Sequence, residues 1–176
     1  NKQNMACFNM LNAKWVITQG QNGQPQAQRN FQACGNAWAV SNVQYAATAD
    51  EEMAALSNFD PKQTAIVPQQ YASELGGKTS FGPAKLKLTT YDPKFLEYSF
   101  EGNDALVVFS EIYYEGSGND WQAYIDGEAV DHLRVNYRVR GLQVPAGRHT
   151  ITCECAPKAC DPYNPDPSRG YARTAR

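Results

Sequence analysis

The stretch Phe109 to His149, FSEIYYEGSGNDWQAYIDGEAVDHLRVNYRVRGLQVPAGRH, decides the fold, because its strands and turns can be read directly. Asp126-Gly127 separates two apolar-patterned runs and supplies the positive φ angles of a type I′ hairpin turn. Val144-Pro145-Ala146-Gly147 reads as a second turn, and it leads into the alternating run His149-Thr150-Ile151-Thr152-Cys153-Glu154-Cys155. Just upstream, Ala105 to Phe109 is continuously apolar and predicts a central strand covered on both faces. Leu86 and Leu88, then Leu96, Tyr98 and Phe100, alternate with Lys, Thr, Glu and Ser, as half-buried antiparallel strands do. With Trp121 to Asp126, Asn136 to Gln143 and His149 to Ala156, at least six strands spaced by turns are expected. The prediction is a mainly β fold, an antiparallel β-sandwich or jelly-roll-like domain over 84–157, preceded by a small α+β unit. Its core is expected to include Leu86, Leu88, Leu106, Val108, Trp121, Ile125 and Ile151, with Trp121 sharing a face with Ala123 and Ile125.

Working outward toward the N-terminus, the pattern is mixed. Met5, Phe8 and Met10-Leu11 recur at helical spacing, and Trp15-Val16-Ile17 then reads as a strand. Gln19 to Gln28 has no apolar period and contains Gly20, Gly23 and Pro25, as an exposed hairpin tip or loop does. Ala37 to Ala46 reads as one strand. Thr48 and Glu51 have capping-box spacing for a short helix whose apolar stripe is Met53 and Leu56, and Thr64 to Val67 is a further strand. The chain therefore divides into an α+β unit over 1–68, a connector over 69–83, the β domain over 84–157, and a disordered tail over 158–176 with several prolines and no apolar period.

Composition narrows the function classes. The 176 residues carry a formal charge of −2, and that balance excludes a phosphate-backbone binder, which needs a clustered basic surface; no nucleic-acid partner is expected. A hydrophobic content of 42% with 10 Tyr and 7 Phe suits a packed β-rich domain. No apolar run approaches the roughly 20 residues that cross a bilayer, and no signal-peptide pattern is present, so the chain reads as a soluble piece, either a fragment or a processed product. Cys7, Cys34, Cys153, Cys155 and Cys160 contain no CxxC pair, so neither a zinc site nor a fully paired disulfide framework is encoded, and pairing stays open. Cys153 and Cys155 share a strand face and read as small core residues.

The order SEIYY, then W-A-Y-I-D-G, N-Y, R and V-P-A-G-R-H-T-I, together with Asn9 to Trp15 and Gly35 to Trp38, resembles the C-terminal extracytoplasmic region of the YfhO family of bacterial polytopic membrane proteins. The resemblance runs to about Pro157. It implies a non-catalytic domain at the extracytoplasmic face of the cytoplasmic membrane, attached to a membrane-embedded remainder associated with glycosyl transfer onto cell-envelope polymers. Its partners would be that remainder and an envelope glycan or polymer. In that family a closing hydrophobic helix follows near this point, and here Asp161 to Arg176 departs from the pattern. A different class of function, an independent carbohydrate-binding module, is the alternative.

Candidate chemistry follows from residue types. Glu111, Glu115, Asp126 and Glu128 are close in sequence, and paired carboxylates serve glycoside hydrolysis when they flank one bond. Turn and surface roles explain them better, so no catalytic residue is assigned. His132 and His149 belong to no metal-ligand pattern, and no metal or cofactor is expected. Tyr113 and Tyr114, with Trp121 and Tyr124 nearby, offer rings on which the apolar face of a sugar stacks. Arg138 and Arg140, two apart on an expected strand, would present two guanidinium groups on one face, either to an anionic group or to Glu97 or Glu101 across the sheet. The expected ligand contacts are Tyr113, Tyr114, Glu111, Arg138 and Arg140.

Overall fold

The structure, a computed structural model, describes residues 4–20, 22–113 and 121–155. The chain starts with a short helix, α1 (Met5–Met10), capped by the Asn4 side chain, which accepts from the Ala6 N–H. β1 (Trp15–Gln19) and β2 (Pro25–Arg29) form an antiparallel hairpin. The expected single strand over 37–46 is instead two, β3 (Ala37–Val40) and β4 (Asn42–Ala46), broken where the Ser41 N–H and hydroxyl both donate to the Gln63 carbonyl. This corner lets one apolar run serve two sheets. Helix α2 (Ala49–Ala55) has the expected cap: the Glu51 N–H donates to Thr48 Oγ1 at 3.2 Å, while the Glu51 carboxylate reaches back to the Ala47 N–H at 2.8 Å. Of its expected stripe Leu56 is buried, at 4% exposed, whereas Met53 is 49% exposed and Glu52 beside it is 1% exposed. β5 (Thr64–Pro68) pairs in parallel with β4.

The remaining strands are β6 (Ala84–Asp92), β7 (Phe95–Gly102), β8 (Ala105–Ile112), β9 (Trp121–Ile125), β10 (Glu128–Val130), β11 (Leu133–Val135), β12 (Val139–Val144) and β13 (Gly147–Cys155). They build a five-stranded antiparallel sheet in the order β10-β9-β13-β7-β6, facing a four-stranded one in the order β11-β12-β8-β3. The fold is mainly β, as the alternating patterns imply. β3 lies before the expected boundary at 68, yet it is hydrogen-bonded to β8 within the sandwich. The turn between β9 and β10 has Asp126 at φ 53° and Gly127 at φ 89°, the positive pair required of a type I′ turn.

β8 explains the layering. Ala105, Val107 and Phe109 point between the two large sheets, against Leu96, Tyr98, Phe100, Leu142, Val144, Ile151 and Cys153. Leu106 and Val108 point the other way, into a second core with Trp38, Val40, Val43, Ala65, Val67, Leu75 and Phe81. The central sheet is thus covered on one side by the five-stranded sheet and on the other by the β4–β5 layer. Of the expected core residues, Ile151, Leu106 and Val108 are fully buried, the last two in this second core. Leu86, Leu88, Trp121 and Ile125 are partly buried against the first. Cys155 is disulfide-bonded, whereas Cys7, Cys34 and Cys153 are free thiols. The tail over 158–176 and Cys160 lie outside the described residues.

Candidate functional site

Between β11 and β12 the chain turns through Asn136, Tyr137 and Arg138, and two successive non-glycine residues have left-handed backbone there: Asn136 at φ 47° and Tyr137 at φ 69°. Such conformations cost about 1–3 kcal/mol each and persist only where the surroundings hold them. Here the holding groups are buried. Asn136, fully buried, donates its N–H to the Ile66 carbonyl at 2.7 Å and accepts the Ile66 N–H on Oδ1 at 2.7 Å. Glu52 accepts the Tyr137 N–H at 2.6 Å on one carboxylate oxygen and Arg134 Nη1 at 2.9 Å on the other. Arg134 Nη1 also donates to the Tyr137 carbonyl at 2.8 Å. The buried acid at the first turn of α2 therefore serves as the anchor of a surface turn contributed by the far end of the chain.

Around this anchored turn is a depression of about 390 Å³, lined by Ala49, Gln70, Tyr113, Arg134, Tyr137 and Arg138. The Arg138 carbonyl accepts the Tyr113 N–H at 2.7 Å, which ties the end of β8 to the turn, and the Tyr113 ring meets His132 edge-on at 5.4 Å. The Arg134 guanidinium carbon lies 5.8 Å from the centre of the Tyr137 ring. Arg138 is exposed, and among the described residues its side chain has no hydrogen-bonding partner. The depression thus offers aromatic surface, a guanidinium with no partner among the described residues and an amide, all on a backbone fixed from beneath.

The two arginines expected on one strand face are separated. Arg138 belongs to the turn, and Arg140 is 1% exposed between the large sheets. Its guanidinium carbon stands 4.9 Å from the Phe109 ring centre and 4.8 Å from that of Trp121, so two aromatic faces enclose it. Arg140 Nη2 donates to Glu111 Oε2 at 2.8 Å. The register steps from Val139 opposite Ile112 to Arg140 opposite Phe109, which leaves Ser110 and Glu111 in a bulge that turns Glu111 toward the arginine. Arg140 and Glu111 form an internal ion pair. Buried so, Arg140 has no surface to give a ligand, and the partners expected for it go elsewhere: Glu101 pairs with Arg148 and Glu97 accepts from Thr89. Tyr114 and Glu115 lie outside the described residues.

A second depression, of about 660 Å³, is lined by Lys85, Lys87, Ser99, Asp126, Arg148 and His149 among others. Asp126 Oδ2 accepts from His149 Nδ1 at 2.6 Å and its Oδ1 accepts the Thr150 N–H at 2.8 Å, so the turn aspartate is committed to holding β13. A carboxylate cannot donate, which makes Nδ1 the protonated nitrogen. With Glu111 on Arg140 and Asp126 on His149, both carboxylates have structural partners. Among the described residues no group of three His, Cys, Asp or Glu side chains is arranged to hold a metal ion.

No protein-family model, curated protein or solved structure matches the chain. The reading of the site therefore rests on its own geometry. Of the expected contacts, Tyr113 and Arg138 meet in one depression and Glu111 and Arg140 meet in the interior. Gln70, Arg134 and Tyr137 join the first pair from other segments. The signal that points to Tyr137 is Asn-Tyr after a strand, where Asn favours the left-handed region and forces the next residue to reverse.

Proposed function

We propose that this chain is a non-catalytic, glycan-contacting β module of the kind the YfhO resemblance implies, standing at the extracytoplasmic face of a membrane beside a membrane-embedded glycosyl-transfer machinery. The observation that carries the glycan contact is the anchored turn: Tyr137 and Arg138 are held by buried Glu52 and Asn136, next to Tyr113 and Gln70. Sugar recognition needs an accessible ring to receive the apolar face and fixed polar groups to meet the hydroxyls. Rigid presentation lowers the ordering cost of weak binding. The bonded Cys155 supports an oxidising compartment, where disulfides persist.

A small saccharide has few apolar atoms and must surrender well-solvated hydroxyls, so millimolar affinity, about −4 kcal/mol, is expected. Titration with envelope-type saccharides, followed by amide chemical shifts, tests the reading. Shifts clustered at Tyr113, Gln70 and 134–138 support it. No shift at saccharide concentrations on the order of tens of millimolar overturns the glycan contact and leaves a buttressing role for the module.

A further inference from the structure

Among the described residues, one face of the β1–β2 hairpin has no layer over it. In the register of the pair Trp15 stands opposite Arg29 and Ile17 opposite Ala27, so these side chains share a face of the ribbon. Trp15 is 63% exposed, Ile17 75%, and Phe31, just beyond β2, 77%. The Arg29 guanidinium carbon lies 5.2 Å from the centre of the Phe31 ring, which joins the phenyl group to the same patch. Single exposed apolar residues are ordinary, but a Trp, an Ile and a Phe together on one small element mark an interaction surface. The base of the hairpin is fixed. Asn30 Nδ2 donates to Asn9 Oδ1 at 2.8 Å and to the Ala13 carbonyl at 2.9 Å, and the Asn30 N–H donates to the Lys14 carbonyl at 2.8 Å.

Charge indicates what covers this face. The first 49 residues contain no Asp or Glu, although the chain has 18 of them, and they include Lys2, Lys14 and Arg29. Bare indole, phenyl and branched aliphatic groups beside cations, without carboxylates, match the interface of an anionic bilayer. Aromatic rings settle there at headgroup depth while Arg and Lys reach the phosphates. A second copy of the chain would bring the same cations together with no acid in this segment to meet them, which disfavours self-association through it.

We propose that the β1–β2 hairpin is a docking surface for an anionic lipid bilayer, with Trp15, Ile17 and Phe31 entering the interface and Arg29 at the lipid phosphates. The inference does not rest on the glycan reading, because the hairpin shares no residue with the depression at Tyr113 and Tyr137.

The experiment mixes the full chain with vesicles of phosphatidylglycerol and phosphatidylcholine, or of phosphatidylcholine alone. Co-sedimentation is measured, together with tryptophan emission over lipids brominated along the acyl chain. Of the three tryptophans Trp15 is the exposed indole, since Trp38 is 9% exposed with its Nε1–H bonded to the Pro61 carbonyl at 2.7 Å and Trp121 is partly buried against the sandwich core. The expected result is sedimentation with the anionic vesicles, a shift of emission to shorter wavelength, and quenching by bromine. I17S/F31S is expected to weaken partitioning by on the order of tenfold or more, and Arg29→Gln by roughly fivefold. Thermal melts of both variants should match the parent, because the side chains are exposed. The proposal is overturned if the chain stays in the supernatant with anionic vesicles, if I17S/F31S partitions like the parent, or if light scattering finds a dimer that I17S/F31S dissolves.

Discussion

Asn136 and Ile66 exchange hydrogen bonds in both directions, the Asn136 N–H to the Ile66 carbonyl and the Ile66 N–H to Asn136 Oδ1, each at 2.7 Å. The carboxamide stands in for the peptide of an absent neighbouring strand, which extends the pairing of β5 with side-chain chemistry. Asn136→Ala is therefore expected to cost about 2–3 kcal/mol, from a buried N–H left without an acceptor and a strained left-handed alanine. Asn136→Gly accepts the backbone but supplies no acceptor, so it should cost less than the alanine. Denaturant titration of the three proteins separates the two shares, and equal losses for Ala and Gly would exclude the backbone contribution.

Glu52 is the second anchor. Its removal leaves the Tyr137 N–H and the Arg134 guanidinium without their acceptor beneath the turn. Glu52→Ala should lower stability by about 3 kcal/mol, the scale for breaking a largely buried charge pair. It should also broaden the backbone resonances of 136–138 and abolish saccharide-induced shifts there. A variant of parental stability would show that water replaces the carboxylate at no cost.

The Arg140 pair tests whether burial of charge serves stability. Glu111→Ala leaves the guanidinium buried between Phe109 and Trp121 with no counter-charge, and a loss of about 3 kcal/mol is expected. The double change Glu111→Gln with Arg140→Met removes both charges and keeps similar volume. It should recover most of that loss, a non-additive result that a double-mutant cycle by thermal or chemical denaturation reads directly.

The two histidines should act in opposite senses on the pH dependence of stability. The hydrogen bond that His149 donates to Asp126 holds the His149 pKa above its ordinary 6.5 and the Asp126 pKa below its ordinary 3.8. The histidine contribution is complete below about pH 6.5 and fades as pH rises through the folded value; the aspartate contribution is present above about pH 4 and fades as pH falls through its folded value. Burial, then the nearby Arg140 charge, pushes His132 down to about 4. The unfolded chain thus gains a proton near pH 6.5 that the folded chain refuses, and stability drains as pH falls from there toward 4. Melts across this range should show His149→Gln losing more at pH 5.5 than at pH 8.5, and His132→Gln flattening the acid limb. Identical profiles for all three proteins would refute both assignments.

Several elements were legible because their determinants are local. The apolar run 105–109 gives a strand buried on both faces, Asp126-Gly127 gives its turn, and Thr48 with Glu51 gives a cap. What was illegible depends on distant partners. A glutamate in the first turn of a helix reads as solvated, and only Arg134 and Tyr137 explain why Glu52 is inside while Met53 is out. Alternation across 136–140 put Arg138 and Arg140 on one face. The left-handed pair at Asn136 and Tyr137 and the bulge opposite Arg140 break that alternation, so one arginine reaches solvent and the other the interior. Two residues of the site, Tyr113 and Arg138, were visible as residue types, whereas Gln70, Arg134 and Tyr137 required the fold.

The anchored turn also has a place in time. Asn136 bonds across 70 residues of chain, Arg134 across 82 and Tyr137 across 85. Contacts so remote in sequence demand loop closure before they return any stabilisation, and chains dominated by them fold in milliseconds to seconds rather than microseconds. The left-handed backbone of Asn136 and Tyr137 has no local reason to form early. It is set only after β5 and α2 have come to lie beside β11, which makes this turn a late product of folding.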